Sequence, residues 1–457
     1  MSRMHKVRFQ TLGNQGVKKA MANRIGYIGV DVLNNATVCN EATGLLGAGV
    51  PLEVVSVYPY KSATFYRDVT LESLRAAVSS LFPMRAMSVI VAVGAAPFVF
   101  GTRFVTMLTK AAFGPAEGWK QRLTILYQVI PALVLAMRWR NRGISHIHAH
   151  WAHTATSIAM HVSELLGVGF SFTGHANDLF VHRIGLTAKV RRARFVVCIS
   201  EYHRQFFMTL GGDPERLPVV YCGIDSDRLA SDQAGSKPPR PRIVSVGRLV
   251  EKKGFDDLIS ACALLRDDGL DFECVIGGSG PLLGELNQSI TANHLEDRVF
   301  LTGTAVLQEK LPEFLGSATV FALPCVRDKD GDMDGLPQVL IEAMLCGLPV
   351  VSTRLVGIPD LVRDGETGLL VAPRDVRGMA SAIQQLISSP TLATDLGDRG
   401  QAWAREFFSL RETVIRLSDL FNWAAANPGS SPPERLWPAA PGAAFAYFEP
   451  CLLESGR

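Results

Sequence analysis

Two carboxylates frame a helix start in the run Asp334-Gly335-Leu336-Pro337-Gln338-Val339-Leu340-Ile341-Glu342. Pro337 suits the first helical position, and Gly347 suits the stop. The N-terminus of such a helix offers free backbone N–H groups and the positive end of its dipole, a combination that suits a phosphate. Gly335 and Leu336 stand at that end as candidates for holding a diphosphate. Glu342 comes five residues after Pro337, roughly 7.5 Å along a helix axis. A carboxylate there can accept two hydrogen bonds from a ribose diol while the phosphates sit at the helix start. Asp334, ahead of the helix, can reach sugar hydroxyls on the other side of the phosphates.

Arg248 and Lys253, in Gly247-Arg248-Leu249-Val250-Glu251-Lys252-Lys253-Gly254, follow an apolar run of strand type. Two cations at a strand's carboxyl end can neutralise a diphosphate leaving group as its charge grows. Gly278-Ser279-Gly280-Pro281 forms a turn after another such run. Phe172-Thr173-Gly174-His175-Ala176-Asn177-Asp178 places His175 at a strand end, with Asp178 able either to position a ligand or to cap the next helix.

These residues need a scaffold that brings strand ends together. RIGYIGV (24–30), a periodic segment at 36–47 and PLEVVSVYP (51–59) make a strand–helix–strand unit, hence a parallel sheet. HIHAH, FSFTGH, ARFVVCIS and LPVVYCGID continue the strands, and RIVSVGRL, DFECVIGGSGP, RVFLTG, TVFALP and LPVVST repeat the alternation later. The fold class is therefore α/β, with two doubly wound domains facing a cleft. A loose tail is expected over 1–23, a first domain over 24–230, a linker over 231–241, a second domain over 242–426 and a weakly ordered tail over 427–457.

The motifs resemble those of the retaining glycosyltransferases of family 4, and in particular bacterial exopolysaccharide and colanic-acid-type enzymes. The family signature E-x7-E within E-G-x-P-x4-E-A-x-x-x-G-x-P-V reads here D-G-L-P-Q-V-L-I-E-A-M-L-C-G-L-P-V, with Asp334 one methylene shorter than the usual Glu. G-R-x4-K-G, G-x-G-P and F-T-x-H-x-x-D are matched at Gly247, Gly278 and Phe172 onward. The resemblance implies the GT-B fold of two Rossmann-like domains and transfer of a hexosyl group from a nucleotide sugar to a saccharide, lipid-linked, in surface polysaccharide synthesis. It implies that Arg248, Lys253, Gly335 and Leu336 hold the donor diphosphate, that Glu342 holds the ribose, and that Gly278 and Gly280 shape the donor loop. It makes His175, Asp334 and Glu342 the catalytic set, with His150 and Asp178 on the acceptor side. No metal or other cofactor is expected. The loop after the first strand, Asp31-Val32-Leu33-Asn34-Asn35-Ala36-Thr37, lacks the glycines by which many relatives touch donor phosphates.

Other readings are weaker. His146, His148 and His150 alternate along one strand, but no Cys or carboxylate has metal-site spacing to them. Asp330-Gly331-Asp332-Met333-Asp334 imitates a calcium loop, yet the closing Glu comes one residue late. A nucleotide-sugar epimerase or hydrolase on the same fold, or a non-catalytic nucleotide-sugar-binding scaffold, remain as alternatives. An NAD-dependent oxidoreductase lacks its G-x-G-x-x-G after the first strand.

Of 457 residues, 47% are hydrophobic and 19% charged, which excludes a disordered chain. Residues 1–230 hold 25 Lys/Arg against 13 Asp/Glu, and 231–457 hold 21 against 30, so a basic half is joined to an acidic one. Two apolar stretches, Met87–Gly101 and Leu123–Met137, are shorter than the roughly 20 residues that span a bilayer. The plainer expectation is buried helices; the sharper one is partial insertion into an anionic membrane face, helped by the basic surroundings. The eight cysteines read as buried thiols of a reducing compartment, and the first residues lack the apolar core of a signal peptide. The expected location is cytoplasmic, peripheral at the inner face of the membrane, with no nucleic-acid partner.

Overall fold

Short apolar runs bounded by turn residues form the strands, as they do where a parallel sheet is covered on both faces. The computed structural model of the chain describes residues 23–60, 70–115, 118–229, 238–427, 430 and 433. All but a few residues of the expected tails over 1–23 and 427–457, and most of the expected linker, lie outside those residues.

The first sheet comprises β1 (Arg24–Gly29), β2 (Leu52–Ser56), β3 (Val78–Ser80), β4 (Ile144–His150), β5 (Gly169–Gly174) and β6 (Phe195–Cys198). Their order is β3-β2-β1-β4-β5-β6, all parallel. The second comprises β7 (Arg242–Val246), β8 (Glu273–Gly277), β9 (Val299–Leu301), β10 (Val320–Leu323), β11 (Val350–Thr353) and β12 (Leu369–Val371). It runs β12-β11-β10-β7-β8-β9, again parallel. In each sheet the order reverses once, between β1 and β4 and between β7 and β10. The crevice at such a reversal, beyond the strands' carboxyl ends, is where ligands of doubly wound sheets bind.

The last helix, Leu410–Ala426, departs from its expected place in the second domain. Val414, Leu417, Leu420 and Phe421 pack into one cluster with Ile25, Tyr27, Val54 and Phe195 of the first sheet. An amphipathic helix must bury its apolar stripe, and the first sheet offers an open apolar face. The chain crosses back at Ser409, where Ile224 and Phe408 to Leu410 exchange backbone bonds of 3.0 and 2.8 Å. The two domains are thus joined twice. They also touch directly: Gln338 Nε2 donates to Thr37 Oγ1 at 2.7 Å. The backbone N–H of Glu201 donates to Asp360 Oδ2 at 2.6 Å.

The first apolar stretch is not the buried helix of the plainer expectation. In the helix Ala86–Phe100 only Ala92 and Ala96 are buried. Met87 is 68% exposed, Phe98 90%, Phe113 84% and Trp119 70%, so the apolar surface runs on into the next two helices. Among the described residues no single helix is long and apolar enough to cross a membrane; Ala86–Phe100 and Thr102–Phe113 together have the length but bend by 115°. The second stretch divides: Leu123, Leu126 and Tyr127 are exposed, whereas Leu133, Leu135 and Ala136 lie in the core.

Candidate active site

The second domain supplies a cluster of charge at the carboxyl ends of β7 and β10. Lys253 closes a short 3-10 turn after β7. Its Nζ lies 2.6 Å from Asp334 Oδ2, while Lys252 Nζ lies 3.4 Å from Asp334 Oδ1 and 2.9 Å from Asp332 Oδ2. Burial works against the charge of Asp334, but the two lysines outweigh it and hold the carboxyl below its ordinary pKa. Arg248 is exposed, with no ion pair among the described residues. The structure therefore brings Arg248, Lys253 and Asp334 together, but it turns Asp334 onto Lys253 rather than toward an open sugar position.

The Gly278 turn acts through this loop. A Cβ on Gly278 would stand 1.9 Å from the carbonyl oxygen of Gly247, so only glycine lets the turn lie against the Arg248 loop. Leu249 N–H then donates to the carbonyl of Ser279 at 2.9 Å. Gly280 packs on Leu249 in the same way.

The helix Gln338–Leu345 begins one residue later than expected, with Pro337 as its cap, and stops at Gly347 in the left-handed region (φ +74°). Ahead of it, the N–H groups of Gly335 and Leu336 have no acceptor among the described residues. They are the amides left for an anion. Glu342 is only 7% exposed, and its carboxylate has one polar partner among the described residues, Gln308 Nε2 at 3.4 Å. Burial pushes its pKa up to about 7.

The first domain meets this edge at His175. A Cβ on Gly335 would come within 2.6 Å of the His175 carbonyl oxygen, so the Gly335 loop and the histidine loop are in contact across the cleft. Asp178 does not face the cleft. It is buried, and its carboxylate accepts from the N–H groups of Ala152 (2.6 Å), His175 (3.1 Å) and Ala176 (3.0 Å). That fixes the two loops that follow β4 and β5. His150 is also no acceptor contact: it is 0% exposed, and both its nitrogens are engaged, Nε2 with Glu41 Oε1 at 2.7 Å and Nδ1 with His175 Nε2 at 3.1 Å.

Glu41 is the residue that sequence reasoning missed. It is the single charge in the helix Ala36–Gly47, which is the one local signal, and it lies 109 positions from His150. It also overturns the argument that the strand histidines lack a carboxylate: Glu41, His148 and His150 hold ligand-type atoms within 4.8 Å of one another. Protein partners already occupy His148, whose Nδ1 is 2.9 Å from Ser171 Oγ and whose Nε2 is 3.1 Å from Thr173 Oγ1.

Two family models match adjoining parts of the chain: Glycosyltransferase Family 4 over residues 102–228 and Glycosyl transferases group 1 over residues 227–403. A GDP-mannose-dependent alpha-(1-6)-phosphatidylinositol monomannoside mannosyltransferase of Mycobacterium tuberculosis is 30% identical over 298 residues, 63% of this chain and 72% of the relative. The amylovoran biosynthesis glycosyltransferase AmsK of Erwinia amylovora is 36% identical over 188 residues, 41% of this chain and 46% of AmsK. A glycosyltransferase from Rickettsia africae has the same fold, with a TM-score of 0.66 at 14% identity over 89% of this chain and 99% of its own. Anabaena Alr3699/HepE in complex with UDP-glucose gives 0.63 at 18% identity over 88% and 99%. The chain belongs to the family 4, group 1 glycosyltransferases, and its two sheets are the two domains of the GT-B fold. Across four curated relatives the match spans 46% to 64% of the relative's length.

Glu342 makes the site costly to the fold. Below about pH 4.5 folded and unfolded chains both carry its proton; between there and about pH 7 the unfolded chain gives it up and the folded one keeps it. Stability therefore falls as pH rises through that window. Glu342→Gln should leave ligand-free stability nearly unchanged at pH 4.5 and raise it at pH 8, by on the order of 3 kcal/mol, in denaturant titrations at both values. Equal changes at both pH values would contradict a raised pKa.

Proposed function

We propose that the chain transfers a hexosyl group from a nucleotide sugar to a lipid-linked saccharide, with retention at the anomeric carbon, in bacterial surface polysaccharide synthesis. The observation that carries this reading is the meeting of the Arg248–Lys253–Asp334 cluster and the free Gly335 and Leu336 amides with His175 across the cleft. The diphosphate sits on those amides between Arg248 and Lys253, and Glu342 accepts from the ribose diol. An incoming diphosphate competes for Lys253 and releases Asp334 toward the sugar hydroxyls. The acceptor oxygen attacks on the face the leaving group departs from: the anomeric carbon–phosphate oxygen bond breaks, the new glycosidic bond forms, and the acceptor's proton passes to the leaving phosphate. Arg248 and Lys253 supply the countercharge, so the step is metal-independent. Contact between the domains excludes water, which would otherwise hydrolyse the donor.

The named activities of the mannosyltransferase relative and of AmsK support a lipid-linked acceptor and a surface polysaccharide product. UDP-glucose in the HepE complex supports the donor class. The test is NMR of UDP-glucose and GDP-mannose turnover with and without lipid-linked saccharide. Acceptor-dependent release of nucleoside diphosphate with a retained anomeric configuration is expected. Release of free sugar without acceptor would make the protein a hydrolase, and interconversion of the sugars an epimerase. Arg248→Ala and Lys253→Ala should each weaken donor binding by roughly 10- to 150-fold, the equivalent of one charge-assisted contact. Unchanged affinity in both would remove the clamp.

The same proposal places the first domain on the anionic inner face of the membrane. The exposed apolar side chains Met87, Phe98, Phe113 and Trp119 support it. So do the flanking Arg85, Arg103, Lys110, Lys120 and Arg122. Each cation near such a surface contributes about 1 kcal/mol. Sedimentation should show the chain on anionic vesicles, released by high salt and absent from neutral ones. Phe98→Asp with Phe113→Asp should abolish binding; wild-type-like binding by that variant would contradict this orientation.

A further inference from the structure

His175 lies at the end of a buried hydrogen-bond chain that none of the cleft chemistry above uses. Tyr27 Oη donates to Glu41 Oε1 at 2.8 Å, and the same oxygen lies 2.7 Å from His150 Nε2. His150 Nδ1 lies 3.1 Å from His175 Nε2, with the two rings stacked at 5.3 Å between centroids. Glu41 and His150 are both buried. Three strands' worth of folding build this line: Tyr27 on β1, Glu41 on the helix after β1, His150 at the end of β4, and His175 just past β5.

The donor and acceptor roles follow from chemistry. A carboxylate only accepts, so Glu41 takes the phenol hydrogen and the Nε2–H of His150. A neutral His150 is then left with a lone pair on Nδ1, which takes the Nε2–H of His175. Burial, together with the neighbouring His150, His203 and His153, holds the His175 imidazole well below its usual pKa, so its ring carries a single N–H at neutral pH. That N–H is now spent. Nδ1 of His175 is left as an acceptor, with no partner among the described residues. The carbonyl of His175, pinned by His203 Nε2, and its N–H, pinned by Asp178, hold the backbone in place.

We propose that Glu41 and His150 are positioning residues that lock His175 in the Nε2–H tautomer, so that its Nδ1 accepts a hydrogen bond from a hydroxyl of the bound sugar. The tautomer does not depend on the activity; the hydroxyl contact rests on the sugar-transfer reading. A carboxylate hydrogen-bonded behind a functional histidine is a general device for fixing ring orientation.

Two-bond proton–nitrogen NMR of the full chain, labelled with nitrogen-15 in histidine and assigned with His175→Asn, reads the tautomer directly. The Nε2–H form is expected for His175 at pH 7.5. The Nδ1–H form, which a His150 imidazolium would impose, overturns the proposal, whatever the enzyme transfers. Glu41→Gln should mix the tautomers and lower turnover roughly 10- to 100-fold while leaving nucleoside diphosphate affinity unchanged. Tyr27→Phe, which keeps the Glu41–His150 link, should keep the wild-type tautomer. An unchanged tautomer in a folded Glu41→Gln protein would equally overturn it. A stoichiometric metal ion in the purified protein, bound by Glu41, His148 and His150, would also overturn it.

Discussion

The ion pair between Lys253 and Asp334, 2.6 Å apart, is the contact on which the proposed chemistry turns. If Lys253, its side chain only 14% exposed, is to neutralise a diphosphate, its charge needs compensation while the donor is away. Asp334 supplies the compensation, and Lys252 shares it. Under the proposed function, donor binding is an exchange of anions at Lys253. It would give the shorter Asp, in place of the family's Glu, a physical role in the empty state: a side chain that holds the lysine until the proposed phosphate arrives. Arg248 is exposed and without an ion pair among the described residues, so in the proposed mechanism it is the cation that meets the phosphate first.

Around that pair the fold spends its irregular positions on close approach. Gly278 lets one loop lie on the carbonyl of Gly247, and Gly335 lets its own loop touch His175 in the other domain. The same edge collects groups that are costly to bury. Glu342 and Asp360 both have pKa values pushed up to about 7 by burial, Asp360 while accepting the N–H of Glu201 across the domain seam. Such perturbed groups concentrate where a site must bind charge rather than where a core must be stable.

Much of this was legible in the sequence because it is local. A strand, a turn and a helix start carry Arg248, Lys253, Gly335, Leu336 and Glu342 within two continuous motifs, so their types and spacing were enough to place them. The parallel alternation likewise announced both sheets. Two of the edge strands, β3 and β12, are three residues each and were not read from the sequence. LPVVYCGID reads as a strand because it is buried, yet forms only two isolated bridges, Val219 to Cys198 and Ile224 to Ser409. What the sequence hid was contact between distant segments. Asp334 turned onto Lys253, Asp178 turned inward to three amides, Glu41 behind His150, and a last helix that returned to the first sheet all depend on chain crossings that no spacing records. The exposure of Phe98 and Phe113 was hidden for a related reason: an all-apolar helix has the same composition whether it is core or surface.

The central claim is that the Lys253–Asp334 pair opens to admit the diphosphate of a nucleotide sugar. A crystal structure of the full chain with a bound nucleoside diphosphate tests it most directly. The account predicts phosphate oxygens within hydrogen-bond distance of Arg248, Lys253 and the Gly335 and Leu336 amides, Glu342 on the ribose, and Asp334 parted from Lys253. A diphosphate bound elsewhere, or bound there with the 2.6 Å contact between Lys253 and Asp334 intact, would contradict it.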